Sequence, residues 1–227
     1  MPIPKELLNW NRTKWESKNL DMYSTQESNT WAWYHSDLDE DIDALTDRLS
    51  SDIHTVLDLG TCSGPQAIGL AKKGYDVIGS DVSKSALEQA EKVLSQLDDA
   101  SLKLKFVIDD IISTQFSDDQ FDLILDRGCY HSICCFAHTD YIHQIKRILR
   151  PDGYLLLKTM SSLEQRFNGW EMLGNERIPM PYKFDRVQLT KLFAESFEIV
   201  SITDSYFYSS VTQPPARAIL TVLRNSR

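Results

Sequence analysis

His54 to Ser83 reads HTVLDLGTCSGPQAIGLAKKGYDVIGSDVS, and this stretch decides the fold. Thr55, Val56, Leu57 and Leu59 form a short apolar run broken by Asp58. Such a run, bounded by turn residues, reads as a buried parallel strand rather than an amphipathic helix. It ends in Gly60-Thr61-Cys62-Ser63-Gly64, a turn flanked by glycines. Pro65 suits the first turn of a helix, where its missing N–H needs no partner. Gln66 to Lys73 continues that helix, Gly74 closes it, and Tyr75 to Ser80 is a second strand ending at Asp81. Strand, glycine turn, helix, strand and acid make a nucleotide-binding βαβ unit. Gly60 and Gly64 let a ligand approach the backbone, and helix-start N–H groups can donate to it. A carboxylate at Asp81 can accept both hydroxyls of a ribose.

The spacing narrows the nucleotide. The dinucleotide pattern G-x-G-x-x-G is absent, since the glycines fall at 60, 64 and 69, and no G-K-[ST] follows. Instead, Asp58-Leu59-Gly60-Thr61-Cys62-Ser63-Gly64 resembles the D-x-G-x-G-x-G motif of class I S-adenosylmethionine (SAM)-dependent methyltransferases, with Cys62 at the middle glycine. FDLILDRGCYHSI, Phe121 to Ile133, resembles the corresponding block of the small-molecule branch that includes thiopurine, thiol and tellurite-type methyltransferases. The resemblance runs from about Val56 to Leu157.

It implies a Rossmann-like three-layer α/β/α sandwich, with a seven-stranded mixed sheet ending in a C-terminal antiparallel hairpin. Further strands are expected at Leu102–Ile108, Phe121–Asp126, around Leu157, Phe197–Phe207 and Arg217–Leu223. Gln213-Pro214-Pro215 is too short a link for a helical crossover, so the last two should pair antiparallel. Helices are expected after Ser83 as N-cap, over Tyr141–Arg150, and after Asp185 to about Ala194. Residues 132–138 are expected as a loop, and Met160–Asp185 as an irregular insertion. Residues 1–50 form an aromatic-rich segment with helices near Trp10–Trp15 and Asp39–Ser50, ahead of a methyltransferase domain at 51–227.

The resemblance also implies site residues. Asp58, Gly60, Cys62 and Gly64 would turn the chain around the cofactor, with Asp81 and Val82 at the ribose. Asp110 would accept from the adenine amino group and Ile111 supply the next amide, Asp109 being the adjacent alternative. Asp126 would lie by the methionine end. The cofactor is SAM and the product S-adenosylhomocysteine, with a small molecule as methyl acceptor: a thiol, metalloid, amine or carboxylate. A protein methyltransferase or a SAM-binding regulator without turnover are the rival readings. The sulfonium cation would attract an aromatic face, which makes Trp31-Ala32-Trp33-Tyr34 the preferred lid element. Trp33, Arg127 and Tyr130 are expected at the substrate. Arg127 either pairs with an anionic acceptor or ties its loop to a carboxylate.

An already activated methyl needs little besides positioning, so a general base is needed only for a nucleophile that must lose a proton. His131 is the candidate base, with packing as its alternative. His131, Cys134, Cys135 and His138 lack zinc-type spacing, so free thiols and no metal are expected.

Composition sets outer limits. A chain of 227 residues suits one α/β domain with an appendage, and its net charge of -9 disfavours nucleic acid and anionic membranes. Four cysteines, two of them adjacent, read as reduced thiols. Met1-Pro2-Ile3-Pro4 does not begin a secretory signal, and no run is long enough to span a membrane, so the cytoplasm is expected. Monomer and homodimer both stay open.

Overall fold

The computed structural model describes residues 5–24, 34–49, 53–97 and 99–227. A seven-stranded sheet organises the chain, in the order β3-β2-β1-β4-β5-β9-β8. Its strands are β1 (Thr55–Leu59), β2 (Asp76–Asp81), β3 (Leu104–Ile108), β4 (Phe121–Arg127), β5 (Leu149–Met160), β8 (Glu198–Phe207) and β9 (Ala216–Arg224). β1 to β5 run parallel, and β9 pairs antiparallel with both β5 and β8. The expected mixed sheet and terminal hairpin are therefore present.

Strand side chains alternate between faces, and the central strands are apolar on both. Leu57, Ile124, Leu155 and Leu157 join one core with α5 (Tyr130–Ile148) and α6 (Arg186–Phe193) through Ile145, Leu189 and Phe193. Val56, Leu123, Leu125 and Leu156 join the other with α2 (Glu40–Thr46) and α3 (Pro65–Lys72) through Ile42, Ala67 and Leu70. Burial on both faces is why these strands carry no polar alternation.

Local signals set several helix starts. Ser83 caps α4 (Lys84–Ser95) by accepting the Ala86 N–H. Asp185 and Gln188 form a reciprocal capping box on α6. The first helix, α1 (Lys5–Ser24), packs on α4, and Ser83 Oγ donates to Glu16 at 2.7 Å.

Three expectations change. Residues 132–138 are not a loop: α5 begins at Tyr130 and carries one non-helical residue, Ala137. Its cap comes from inside a strand, because Asp126 Oδ1 accepts the Cys129 N–H at 2.7 Å and Oδ2 the Tyr130 N–H at 3.0 Å. The 160–185 insertion is not wholly irregular: β6 (Trp170–Leu173) and β7 (Glu176–Pro179) form an antiparallel hairpin. The helix expected over Asp39–Ser50 is the shorter α2. Trp31 and Trp33 lie outside the described residues. Among the described residues, no helix is long and apolar enough to cross a membrane.

Candidate functional site

A cavity of about 780 Å³ opens at the C-terminal ends of β1, β2, β3 and β4. In open α/β sheets, this is where ligands bind, beside the point at which strand order reverses. Here β1 is flanked by β2 on one side and β4 on the other, so that point lies between β1 and β4.

The turn after β1 builds the floor. Gly60 and Gly64 take φ of +69° and +85°. A Cβ at Gly64 would meet the Phe106 ring at 2.7 Å, so both backbone angle and space require glycine there. Cys62 also has positive φ, +53°, which explains why a glycine would sit comfortably at this position. The conformation turns the Cys62 N–H onto Asp81 Oδ2 at 3.0 Å. The turn therefore holds the acid at the end of β2, and the Ser83 N–H holds its other oxygen at 3.0 Å. Asp58 is buried and accepts from Thr61 Oγ1 at 2.6 Å.

Of the expected cofactor residues, Asp58, Gly60, Cys62, Asp81, Val82, Asp110 and Ile111 line the cavity. Gly64 and Asp126 do not. Gly64 is the N-cap of α3. Asp126 is fully buried beneath the floor, where it caps α5 and accepts from Tyr141 Oη at 2.8 Å. Its expected place beside the methionine end is corrected to this supporting one.

The floor is electrostatically suited to a cation. Asp58, Asp81, Asp109 and Asp110 converge at the strand ends. Burial pushes the Asp58 and Asp81 carboxyls up to about 6, despite the hydroxyl and amide donors around them. Arg12 of α1 reaches Asp110 at 3.1 Å. Burial likewise raises Asp110, with Arg12 opposing it.

Three buried polar atoms on this wall have no hydrogen-bond partner: Asn11 Oδ1, Ser80 Oγ and Asp109 Oδ2. A buried group left unpaired costs about 1–3 kcal/mol. Two of the three can only accept, so the wall fits a ligand bringing donors, as the amino group and hydroxyls of an adenosine would. Asn11 had no motif to betray it. Its helix, α1, also brings Trp15 and Lys18 to the cavity.

The other half of the cavity is apolar, with Met160, Phe167, Met180, Pro181 and Phe207. His131 lies on this side against Phe207, the rings 5.5 Å apart. Its Nδ1 accepts the Met160 N–H at 3.1 Å, so the neutral ring carries its proton on Nε2. Burial, aided by Arg127, pushes His131 down to about 3. At neutral pH it is a hydrogen-bond donor with its lone pair already used, which departs from the expected base.

Arg127 lines the cavity, yet its Nε donates to Asp39 Oδ2 at 2.8 Å and its Nη2 to the Tyr208 carbonyl at 2.7 Å. Fully buried Lys158 shares Asp39 Oδ2 at 2.7 Å and also reaches Asp41 Oδ1 at 2.6 Å. Burial alone would raise the Asp39 carboxyl, but Arg127, His35 and Lys158 hold it well below the usual range. Tyr130, expected at the substrate, faces away: its ring stacks on Phe184, and its hydroxyl shares a 2.7 Å hydrogen bond with His138. Adjacent residues in a helix point about 100° apart, which separates Tyr130 from His131. Trp33 lies outside the described residues.

Known proteins agree with this geometry. Residues 50–198 match the family described as Methyltransferase domain. An uncharacterized methyltransferase of Schizosaccharomyces pombe is 28% identical over 139 residues, covering 60% of this chain and 92% of the relative. A protein-lysine N-methyltransferase of the same yeast is 27% identical over 146 residues, covering 56% of this chain and 61% of the relative. A probable thiol methyltransferase of Arabidopsis thaliana is 27% identical over 150 residues, covering 64% and 59%. Among solved structures, a SAM-dependent methyltransferase from Methanosarcina mazei superposes with a TM-score of 0.68 at 21% identity, covering 83% of this chain and 98% of that one. A Burkholderia thailandensis 1,6-didemethyltoxoflavin-N1-methyltransferase, bound to its substrate and S-adenosylhomocysteine, gives 0.70 at 18% identity, covering 100% and 92%. The match spans well over half the chain and includes the glycine turn and the strand-end acids. The chain thus belongs to the methyltransferase-domain family and is a SAM-dependent methyltransferase.

Proposed function

We propose that this enzyme methylates a small, largely apolar acceptor that brings its own nucleophilic lone pair, a thiol being the first candidate. The observation that carries this reading is the apolar half of the cavity, in which His131 has its lone pair engaged and Arg127 is committed to Asp39. SAM supplies a methyl group already activated as a sulfonium. The protein's part is to hold, orient and dry.

Asp81 accepts the ribose hydroxyls. Asp110 and the Ile111 amide hold the adenine, with Asn11 and Asp109 as further acceptors. Asp58 and the Gly60–Cys62 backbone hold the methionine end. The acids that line this half favour the cofactor's positive charge, and α1 is the lid, tied down through Arg12 to Asp110 and Glu16 to Ser83. Phe207, Met160 and Phe167 surround the acceptor and exclude water. His131 Nε2–H donates to the acceptor heteroatom and keeps it in line. Positioning of this kind is worth about 7–11 kcal/mol. A thiol ionises with little help near neutral pH, so the missing base matters least for it.

Two predictions arise here. SAM affinity rises about tenfold from pH 5 to pH 7, then levels off. Asp81 has its carboxyl raised to about 6, and the hydroxyl donors of the ribose favour its ionised form. Protonation therefore opposes binding below that value. Calorimetry across this range tests it, and Asp81→Asn reduces the rise to the part that Asp58, its carboxyl also raised to about 6, contributes. His131→Ala lowers turnover about tenfold with thiophenol as probe acceptor, the loss expected for one hydrogen bond of about 1.4 kcal/mol. SAM affinity stays within twofold. Unchanged turnover would reduce His131 to packing.

The reading is tested by incubating the protein with methyl-radiolabelled SAM and cell extract, then separating small molecules, protein and nucleic acid. Label in the small-molecule fraction supports it. Label in protein or nucleic acid overturns the acceptor class and leaves the family standing.

A further inference from the structure

A second histidine, His35, lines the cavity with the opposite arrangement to His131. It precedes α2 in a segment fixed at several points. The Tyr34 carbonyl accepts the Ser210 N–H at 2.9 Å. Gln66 of α3 donates to the Asp37 carbonyl at 2.8 Å and accepts the Asp39 N–H at 3.0 Å. The His35 ring lies against Tyr208, the centroids 6.1 Å apart. Phe207, the residue before it, belongs to the acceptor half and has the Arg127 guanidinium 5.3 Å from its ring.

His35 Nδ1 stands 3.4 Å from Asp39 Oδ1. Both atoms are buried without a hydrogen-bond partner among the described residues, so a small rotation of the ring satisfies both. Asp39 Oδ2 is already taken by Arg127 and Lys158. A carboxylate oxygen can only accept, which puts the ring proton on Nδ1 and leaves the lone pair on Nε2. His131 has the reverse pattern, its Nδ1 lone pair taken by the Met160 N–H. The His35 side chain is 18% exposed while Nδ1 is buried, so the edge it shows to the cavity is the one away from Nδ1.

We propose that His35 is a general base for methyl transfer, with Asp39 as its positioning residue. This rests on the thiol reading above, which asks no base of a thiol already ionised, and extends it to thiols still protonated at neutral pH. The acceptor sulfur attacks the methyl carbon. A new C–S bond forms, the methyl C–S bond of the sulfonium breaks, and its electron pair returns to the departing sulfur. The S–H proton passes to His35 Nε2, and its bonding pair stays on the acceptor sulfur. The positive charge that leaves the sulfonium thus ends on the imidazolium. The charged groups behind the ring are Asp39 and Asp41, Arg127 of β4 and Lys158 of β5, with the Tyr208 phenol beside it. In this network the two carboxylates balance the two cations. Asp58 of β1 and Lys18 of α1 line the same cavity.

The test compares two thiols at pH 7.5 with the full chain and SAM. Benzyl mercaptan is almost wholly protonated there, and thiophenol is largely ionised. His35→Asn keeps a donor for Asp39 and removes the base. Its single-turnover rate with benzyl mercaptan falls about 100-fold, the low end of general-base contributions, while that with thiophenol stays within about threefold. The loss shrinks as the pH is raised toward 10 and the alkyl thiol ionises unaided. SAM affinity by calorimetry stays within about threefold, which also shows that the variant is folded. Equal slowing of both thiols, or a loss that does not change with pH, overturns the base. A SAM affinity lowered tenfold or more overturns it too, and makes His35 a cofactor ligand. Those outcomes leave wild-type thiol methylation standing. Methylation of neither thiol by the wild type overturns the thiol reading itself, and this inference with it.

Discussion

Asp81→Ala raises the dissociation constant for SAM at least 100-fold while the protein stays folded. The carboxylate stands at the end of β2, on the cavity wall, held by the Cys62 and Ser83 amides. Two ribose hydroxyls donating to it make charge-assisted bonds of about 1.5–3 kcal/mol each, so losing both costs about 3–6 kcal/mol. A factor of ten is about 1.4 kcal/mol, which makes 100-fold the lower bound. Folding is spared because burial already disfavours the ionised acid, as its raised pKa of about 6 records. Asp81→Asn keeps an acceptor oxygen and loses the charge, so it should fall between wild type and alanine. Titration calorimetry at pH 7.5 decides the matter. A change under threefold for alanine would mean that Asp81 only supports the glycine turn.

The second large effect is on stability. Asp39→Ala lowers the unfolding free energy by about 3–5 kcal/mol, the range for removing one partner of a buried ion pair. Asp39 is fully buried and is shared by Arg127 at 2.8 Å and Lys158 at 2.7 Å. Without it, Lys158, itself fully buried, retains only Asp41 among the carboxylates that pair with it here. Urea unfolding measures the loss. The double variant Asp39→Ala, Lys158→Met removes the stranded charge and recovers part of the stability, and with Lys158→Met alone it completes the cycle that gives the coupling between the two. A loss below 1 kcal/mol in the single variant would show that water reaches the pair and takes over.

These two residues differ in how readable they were. Asp81 follows an apolar strand at the expected distance from a glycine turn, so local pattern sufficed. Asp39 and Lys158 are 119 residues apart, and neither carries a local mark of its partner. The start of α5 was hidden for a related reason. Its N-cap residue, Cys129, offers no side-chain bond, and the capping carboxylate of Asp126 reaches up from β4 instead. A cap that lies in a strand escapes the usual reading of helix starts. The hairpin of β6 and β7 did carry a mark. Gly174-Asn175 stands between its four-residue strands, and a glycine-led pair of that kind signals a tight hairpin. The short strands, with no clean alternation, concealed it. Tyr130 and His131 show the remaining limit: neighbours in sequence face different sides only because the segment is helical.

The ion-pair network also bears on the order in which the molecule is made. Residues 34–41 are joined to β5 through Lys158, to β8 through Ser205 and to the following loop by the Ser210 amide on the Tyr34 carbonyl. Asp41 and Ser205 are 164 residues apart. At a synthesis rate of about 5–20 residues per second, Asp41 waits roughly 8–30 s before Ser205 of β8 is made. Arg127 of β4 and Lys158 of β5 are made earlier, so Asp39 can meet its partners before β8 exists. The central strands assemble from shorter-range partners, with β1, β2 and β3 paired before β8 exists. A nascent chain would thus gain its Rossmann core well ahead of its competence to bind and transfer, and the final hairpin would act as the latch that closes the site.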